Sequence, residues 1–183
     1  MGMPATIPYY TVKDLEHFPR DGNRYELLDG VLLVTPAPGS EHQLIASRIA
    51  HVLLNALQSP GHAFVYLPGA VSFPPRTQLE PDILVVPARY PVSDAWADTT
   101  ERWLAVEILS PSSRVYDREF KRDAYLALGV REVWLVDKTD RSVEVSRVRG
   151  SSETVRNTII WRVPTLGIDV RVDLTEVFAG LAV

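Results

Sequence analysis

Cysteine is absent from the 183-residue chain, and its absence excludes disulfide bonds, thiolate zinc sites and cysteine nucleophiles. A chain without cysteine fits a reducing compartment, so we expect a cytoplasmic protein. The chain also lacks an apolar run long enough to span a membrane. Residues 1–10 contain no basic segment followed by an apolar one, which predicts that there is no signal peptide. No membrane partner is therefore expected.

An excess of positive charge is also missing. Lysine and arginine total 19 residues against 23 for aspartate and glutamate, which gives a formal net charge of −4. This balance excludes a protein that coats nucleic acid through its bulk charge. A local basic patch could still bring a nucleic acid to an enzyme, because steering depends on how the charge is distributed.

Internal repeats, low-complexity tracts and long linkers are absent as well, so residues 1–183 are predicted to form a single domain. The apolar patterns follow the order hairpin, helix, strands, helix, strand, hairpin. This order predicts an α/β fold in which helices flank a mixed central sheet, with an N-terminal β-hairpin and a C-terminal β extension.

Turn and cap signals place the first elements. Asp29-Gly30 joins two apolar runs and predicts a β-hairpin over residues 25–34. Ser40 with Gln43 predicts a capping box at the start of a helix that runs to about Leu57, because apolar residues recur there at helical spacing.

Two carboxylates lie inside or against strongly apolar, β-branched runs. Asp82 precedes the run 83–86, and Glu107 lies within the run 103–109. Charged side chains are rarely buried without a partner or a metal. In the antiparallel register that pairs Val86 with Trp103, the two carboxylates lie opposite each other, with Cβ atoms ~5 Å apart. Carboxylates so close repel each other unless a cation lies between them, and oxygen ligands suit Mg²⁺ or Mn²⁺.

The segment that follows Glu107 carries a third candidate. Residues 117–128 are predicted to form a helix, with Phe120, Ala124 and Leu128 on its apolar side. A different face carries three polar residues at four-residue spacing: Asp117, Lys121 and Tyr125.

Lys121 is the third candidate catalytic residue. A lysine near a metal can polarise the attacking water or stabilise charge on a transferring phosphoryl group. Three neighbouring arginines add local positive charge that could hold phosphates; they are Arg114, Arg118 and Arg122.

Each candidate also has a simpler interpretation. Asp82 would be a solvated residue at a strand start, Glu107 would pair with a buried arginine, and Lys121 would pair with Asp117 at the surface. Two further residues are possible additions to the site. Glu26, in a hairpin strand, would complete the acidic cluster or face solvent. His42, in the first turn of the long helix, would reach the site or be structural.

Several segments together resemble a known family. They are Arg24–Gly30, Glu80–Asp82, Val106–Ser112 and Gly129–Asp137. With Asp82, Glu107 and a helical lysine, they resemble the Uma-two family of restriction-endonuclease-like proteins, which is part of the PD-(D/E)XK nuclease superfamily. The resemblance extends from about Tyr10 to Leu181. It implies a restriction-endonuclease-like mixed central sheet flanked by helices.

The resemblance also implies a function: a metal-dependent endonuclease in which Asp82 and Glu107 hold Mg²⁺ or Mn²⁺ and Lys121 acts on water. In the superfamily the lysine commonly lies two residues after the glutamate, where this chain has Leu109. Lys121 matches a variation in which the lysine lies on the following helix. By this analogy the partner is nucleic acid, with DNA the more expected substrate. A homodimer is plausible on the same analogy, because the fold often pairs its sites on the two strands of a duplex.

Two other functions stay open at this point. The chain could be a non-catalytic module that binds nucleic acid or protein on a degenerate nuclease fold, since Leu109 replaces the lysine and the net charge is negative. It could also be a hydrolase that uses Asp82 and Glu107 as a metal-free acid–base pair, as glycosidases do. Only the nuclease requires a divalent metal in order to cleave.

Overall fold

Strands contain more residues than helices do in the computed structural model, which describes residues 9–93, 95–110, 116–148, 150 and 152–181. In chain order the strands are β1 (Arg24–Leu28), β2 (Val31–Thr35), β3 (Ala63–Tyr66), β4 (Val71–Phe73), β5 (Thr77–Leu79), β6 (Ile83–Pro87), β7 (Arg102–Ile108), β8 (Val130–Asp137), β9 (Ser142–Arg147), β10 (Glu153–Val155), β11 (Thr158–Arg162) and β12 (Asp169–Asp173).

The helices are fewer than the strands. In chain order they are a 3₁₀ helix (Val12–His17), α1 (Ser40–Leu53) with a π-helical turn after it (Leu54–Gln58), a 3₁₀ turn (Trp96–Asp98), a π-helical turn (Asp117–Lys121) that continues as α2 (Arg122–Ala127), and α3 (Leu174–Val177). Among the helices of the described residues, none has the length and apolar character needed to cross a membrane.

A six-stranded mixed sheet forms the centre, in the order β10-β9-β8-β7-β6-β3. Strands β7 and β8 pair in parallel, and each of the other neighbouring pairs is antiparallel. A second, four-stranded antiparallel sheet has the order β2-β1-β5-β4, and β11 with β12 forms a separate ribbon. The predicted mixed sheet, N-terminal hairpin and C-terminal β extension are confirmed.

Both faces of the central sheet are covered by apolar side chains, as the continuous apolar runs of β6, β7 and β8 require. On one face α1, the β11–β12 ribbon and α3 pack against the sheet, with Ile49, Val106 and Trp161 among the buried residues. On the other face the four-stranded sheet and α2 pack against it, through residues such as Leu79 and Tyr125. Alternation along β7 directs Glu107 to this second face, together with Ala105 and Leu109.

The predicted hairpin is confirmed, and its turn explains its register. Strands β1 and β2 pair from Arg24 with Thr35 to Leu28 with Val31. Asp29 and Gly30 have φ angles of 51° and 83°. Two successive positive φ values are typical of a type I′ turn, which aspartate and glycine tolerate and which matches the twist of the strands.

Two local predictions are wrong. Helix α1 already includes Ser40, because the extended Gly39 is its N-cap and accepts the Gln43 N–H at 3.1 Å. Phe120 is exposed rather than on a buried apolar side. The buried face of the segment 117–127 is instead the one that carries Asp117, Lys121 and Tyr125, because these polar groups find partners inside the protein.

One glycine marks a close approach between segments. A Cβ atom added to Gly69 would lie 2.6 Å from Cβ and 2.8 Å from Cδ2 of Leu84. Leu84 is fully buried in β6, two residues after Asp82, so neither partner could move without disturbing the core. Gly69 therefore allows the chain to pass directly against β6.

We predict that Gly69→Ala lowers the free energy of unfolding by ~1–3 kcal/mol, because it overpacks the contact with Leu84. Urea denaturation monitored by circular dichroism measures this change. Gly150→Ala is the matched control, since its added Cβ would meet Arg147 at an ordinary 3.5 Å. Equal stability of the two variants would show that the Gly69 contact relaxes without cost.

Candidate active site

The predicted register of the two acidic strands is confirmed. Ile83 pairs with Val106 and Leu84 with Ala105, in the antiparallel register that continues to Asp82 opposite Glu107. Asp82 directly precedes β6, and Glu107 is the penultimate residue of β7. Both carboxylates therefore lie where two inner strands of the central sheet begin and end.

Asp82 is buried and bonded through both carboxylate oxygens. Oδ1 accepts a hydrogen bond from Arg24 Nη2 at 2.8 Å. Oδ2 accepts the backbone N–H of Ile108 at 2.8 Å and lies 3.0 Å from Nε2 of His42. Burial by itself raises the pKa of the Asp82 carboxyl, but the bond from His42 and the charge of Arg24 hold that pKa below its usual range. Asp82 is thus an ionised, oriented carboxylate, and the interpretation as a solvated strand start is wrong.

Lys121 is buried among three carboxylates. Its Nζ lies 2.7 Å from Glu26 Oε2, 3.1 Å from Glu107 Oε1 and 3.6 Å from Asp117 Oδ1, and its side chain is only 4% exposed. Burial disfavours the ammonium form, but the three carboxylates outweigh burial and raise the pKa of Lys121 above its usual range. Lys121 is therefore charged, and the interpretation as a surface partner of Asp117 is wrong.

Glu107 receives two hydrogen bonds within the cluster. Its Oε1 accepts hydrogen bonds from the Tyr125 hydroxyl at 2.7 Å and from Lys121. Burial raises the pKa of Glu107 well above its usual range; Lys121 opposes this, whereas the neighbouring carboxylates of Asp117, Asp82 and Glu26 add to it. No hydrogen bond from the described residues reaches the other oxygen, Oε2, and Glu107 lines a cavity.

The hairpin strand β1 contributes two further groups to the cluster. Arg24 and Glu26 are two residues apart and so share a face of the strand. Both also hold the backbone of Glu80: Glu26 Oε1 accepts its N–H at 2.7 Å, and Arg24 Nη1 donates to its carbonyl oxygen at 2.9 Å. Glu26 is fully buried, so its predicted alternative of facing solvent is wrong. These bonds fix the four-stranded sheet against the segment that leads into Asp82.

A cavity of about 140 Å³ opens onto this cluster. Its polar lining residues are Arg24, Thr35, His42, Asp82, Glu107, Ser110, Asp117, Lys121 and Lys138. Asp82, Glu107, Lys121 and His42, all named from the sequence, therefore meet at one cavity, and Glu26 lies directly behind Lys121. Arg24 was not named as a site residue, although the short spacing of two charged residues in an apolar hairpin strand was a visible signal.

The arginines that were expected to hold phosphates do not all reach this cavity. Arg118 pairs with Asp137 at 3.0 Å, and Arg122 pairs with Glu144 at 2.8 Å. Neither lines the cavity. Arg114, like Pro111 and Ser112 of the resembling segment, lies outside the described residues. Arg24 and Lys138 are the arginine and the second lysine that border the cavity instead.

The carboxylate oxygens of the cluster are the type of ligand that a hard divalent cation prefers. Four carboxyl groups, those of Glu26, Asp82, Glu107 and Asp117, lie close enough together that the charges of the other three raise the pKa of Glu107, and a bound cation would relieve that repulsion. Among the described residues there is no group of three or more histidine, aspartate or glutamate side chains arranged to hold a metal. Asp82 and Glu107 would therefore hold a cation as a pair, with water or substrate completing its coordination, which is common for Mg²⁺.

We predict that Lys121→Met lowers the free energy of unfolding by ~3–5 kcal/mol, because it leaves buried carboxylates without their counter-charge. Urea denaturation at neutral pH measures the loss. A second variant, Lys121→Met with Glu26→Gln, should recover part of the stability because it removes one of the unpaired charges.

Lys138→Met is the control for this experiment. Lys138 pairs with Glu41 at a partly exposed position, where an ion pair contributes only ~0.2–1 kcal/mol. A loss in Lys121→Met no larger than that of the control would contradict the buried-cluster description.

Comparison with known proteins supports a family assignment. The family model Uma2, described as "Putative restriction endonuclease", matches residues 12–179. This is the Uma-two family that the sequence resembles. No curated protein matches the chain.

A solved structure shares the fold. It is the crystal structure of a protein from Anabaena variabilis ATCC 29413 that is described as a putative nuclease belonging to DUF820. The match has a TM-score of 0.76 at 21% sequence identity, and it covers 92% of this chain and 97% of that one. At this identity the match shows a common nuclease-like fold. Because the family model spans nearly the whole chain, the protein belongs to the Uma2 family of restriction-endonuclease-like proteins.

Proposed function

We propose that the protein is a nuclease that hydrolyses phosphodiester bonds with the help of Mg²⁺ or Mn²⁺, and that its substrate is DNA. The observation that carries this proposal is that Asp82 and Glu107 present their carboxyl groups from two adjacent strands to one cavity, which Lys121 also lines. The family description and the shared fold support the same reaction class. A homodimer and a cytoplasmic location stay predictions.

Asp82 and Glu107 would hold the metal. Asp82 is already ionised and oriented by Arg24, His42 and the Ile108 N–H. Glu107 offers Oε2, which no described residue engages by a hydrogen bond. When bound, a divalent cation lowers the pKa of water and neutralises charge on the scissile phosphate.

Lys121 and Arg24 would have different roles in the reaction. In hydrolysis the water oxygen bonds to phosphorus, the bond to the leaving oxygen breaks, and that oxygen takes up a proton. Lys121 fixes Glu107 and places positive charge beside the reacting group, where charge develops during attack. Arg24 borders the same cavity and can donate to a phosphate oxygen. Tyr125 orients Glu107 from the buried side.

A second function has its own support. Both oxygens of Asp82 are already bonded to protein groups, and no three-residue metal group exists among the described residues. A protein that satisfies its own carboxylates with Arg24 and Lys121 could bind nucleic acid or protein without cleaving it. Metal binding and cleavage separate this module from the nuclease.

We predict that the purified protein binds Mn²⁺ and that Asp82→Asn and Glu107→Gln each abolish detectable binding. Both substitutions keep the side-chain shape but remove a charged oxygen ligand, which a hard cation requires. Isothermal titration calorimetry measures the affinity, and circular dichroism verifies that each variant is folded.

Glu132→Gln is the matched control for metal binding. Glu132 is also a buried glutamate on an inner strand of the central sheet, but it bonds to Trp134 and Arg147 and lies outside the cavity lining. It should bind Mn²⁺ as the wild type does. Unchanged Mn²⁺ affinity in Asp82→Asn and Glu107→Gln would remove these residues as ligands.

The second prediction concerns cleavage. In folded Lys121→Met, at a temperature where the variant is native, the rate of DNA cleavage in Mn²⁺ should fall by ~10²–10³-fold, the usual effect of losing one electrostatic donor. Mn²⁺ affinity should hold or rise, because the cluster gains net negative charge. Cleavage of plasmid and single-stranded DNA gives the rate.

Lys13→Met is the control for cleavage, because Lys13 is exposed and does not line the cavity. DNA cleavage by Lys121→Met at the wild-type rate would rule out a catalytic role for the lysine. Absence of cleavage by the wild type on a broad panel of DNA and RNA would favour the non-catalytic module, and full activity in chelator would favour a metal-free acid–base pair.

A further inference from the structure

Two aromatic side chains stand exposed beside the candidate active site. Tyr116 and Phe120 are each 48% exposed, and their ring centroids lie 5.6 Å apart. They flank Asp117 in the turn that also carries Lys121. Aromatic rings of this size are usually buried, so two adjacent exposed rings indicate a binding surface.

A second cavity lies between Tyr116 and the edge strand of the hairpin. Its volume is about 280 Å³, and β2 lines it with Leu32, Leu33, Val34 and Thr35, opposite Tyr116. Strand β2 is the edge of its sheet, and Val34 is 51% exposed. The cavity therefore has an apolar wall on one side and an aromatic ring on the other.

This second cavity lies next to the candidate active site. Thr35, Asp117 and Lys121 line both cavities. A ligand that extends from the acidic cluster into this second cavity would contact Tyr116. Arg24 and Lys138 border the active-site cavity, and their positive charges can bind the phosphates of a nucleic-acid backbone.

We propose that Tyr116 and Phe120 form a stacking surface for an unpaired nucleobase, so that the substrate is a single-stranded nucleic-acid segment. This inference rests on the proposed function, because it places the phosphate next to that base at the acidic cluster. The faces of paired bases are hidden within a duplex, whereas the bases of a single strand are free to stack on aromatic side chains. The apolar β2 wall supports the other side of the same groove.

The test is binding of a short fluorescein-labelled oligonucleotide, either single-stranded or annealed to its complement, measured by fluorescence anisotropy. Ca²⁺ replaces Mg²⁺, and a gel verifies that the oligonucleotide remains intact. We expect the wild type to prefer the single strand. Tyr116→Ala and Phe120→Ala should each weaken single-strand binding by at least ~5-fold, the loss that corresponds to one base–aromatic stack. Tyr116→Phe should retain binding, because it keeps the ring.

Phe73→Ala is the matched control. Phe73 is 41% exposed and stacks on Arg102 at the start of β7. Glu107 lies five residues further along this strand, roughly 16 Å from Arg102 at ~3.3 Å per residue, and Phe73 lines neither cavity. Single-strand affinity should remain that of the wild type in this variant.

Other outcomes would overturn the proposal. Wild-type single-strand affinity in Tyr116→Ala and Phe120→Ala, equal binding of duplex and single strand, or no binding of either would each do so. If the two variants instead abolish a concentration-dependent dimer in sedimentation, the surface joins two copies of the chain. Cleavage is assayed separately: binding that depends on the aromatic pair without any cleavage would refute the nuclease and keep the stacking surface.

Discussion

The balance between one ammonium group and three buried carboxylates holds the site together. Lys121 comes from the segment after β7, Glu26 from the hairpin and Glu107 from the central sheet. Taking such charges out of water costs several kcal/mol for each ion, and only close, well-placed partners offset that cost. The four-stranded sheet, the central sheet and α2 must therefore keep their relative positions for the cluster to exist. The ion pairs of the site and the packing on the second face of the central sheet therefore depend on the same arrangement of these elements.

Local signals in the sequence predicted much of the fold. The positive φ values of Asp29 and Gly30 were implied by the residue types, and the register that was assumed for β6 with β7 is the one observed. Strands β5, β10 and β12 were not predicted. Strands β5 and β10 have only three residues each, which is too short for a period to be visible. Strand β12 alternates valine with charged residues, which is the pattern of a half-exposed strand, so its signal was visible and was missed.

The site was predicted less completely because its partners are distant in sequence. Arg24 and Asp82 are separated by 58 positions, and no local pattern links them. The segment 117–127 shows the same difficulty in another form. Helical periodicity assigns the apolar side chains to the core, yet the structure buries Lys121 and exposes Phe120, since a polar face that satisfies its own charges can be interior. Contacts between residues that are distant in the sequence determined both the Arg24–Asp82 pair and the burial of Lys121.

The parallel pairing of β7 and β8 has a consequence for how such a site can change over evolutionary time. Parallel neighbours cannot be joined by a tight turn, so the chain must cross over the sheet between them. That obligatory bridge is the segment that carries Lys121 above Glu107. Leu109, two positions after Glu107 and directly after the end of β7, is buried and packs against the second face of the central sheet. The topology therefore supplies an alternative platform for a basic group, and the lysine can migrate from strand to bridge while its carboxylate partner and the sheet stay as they are.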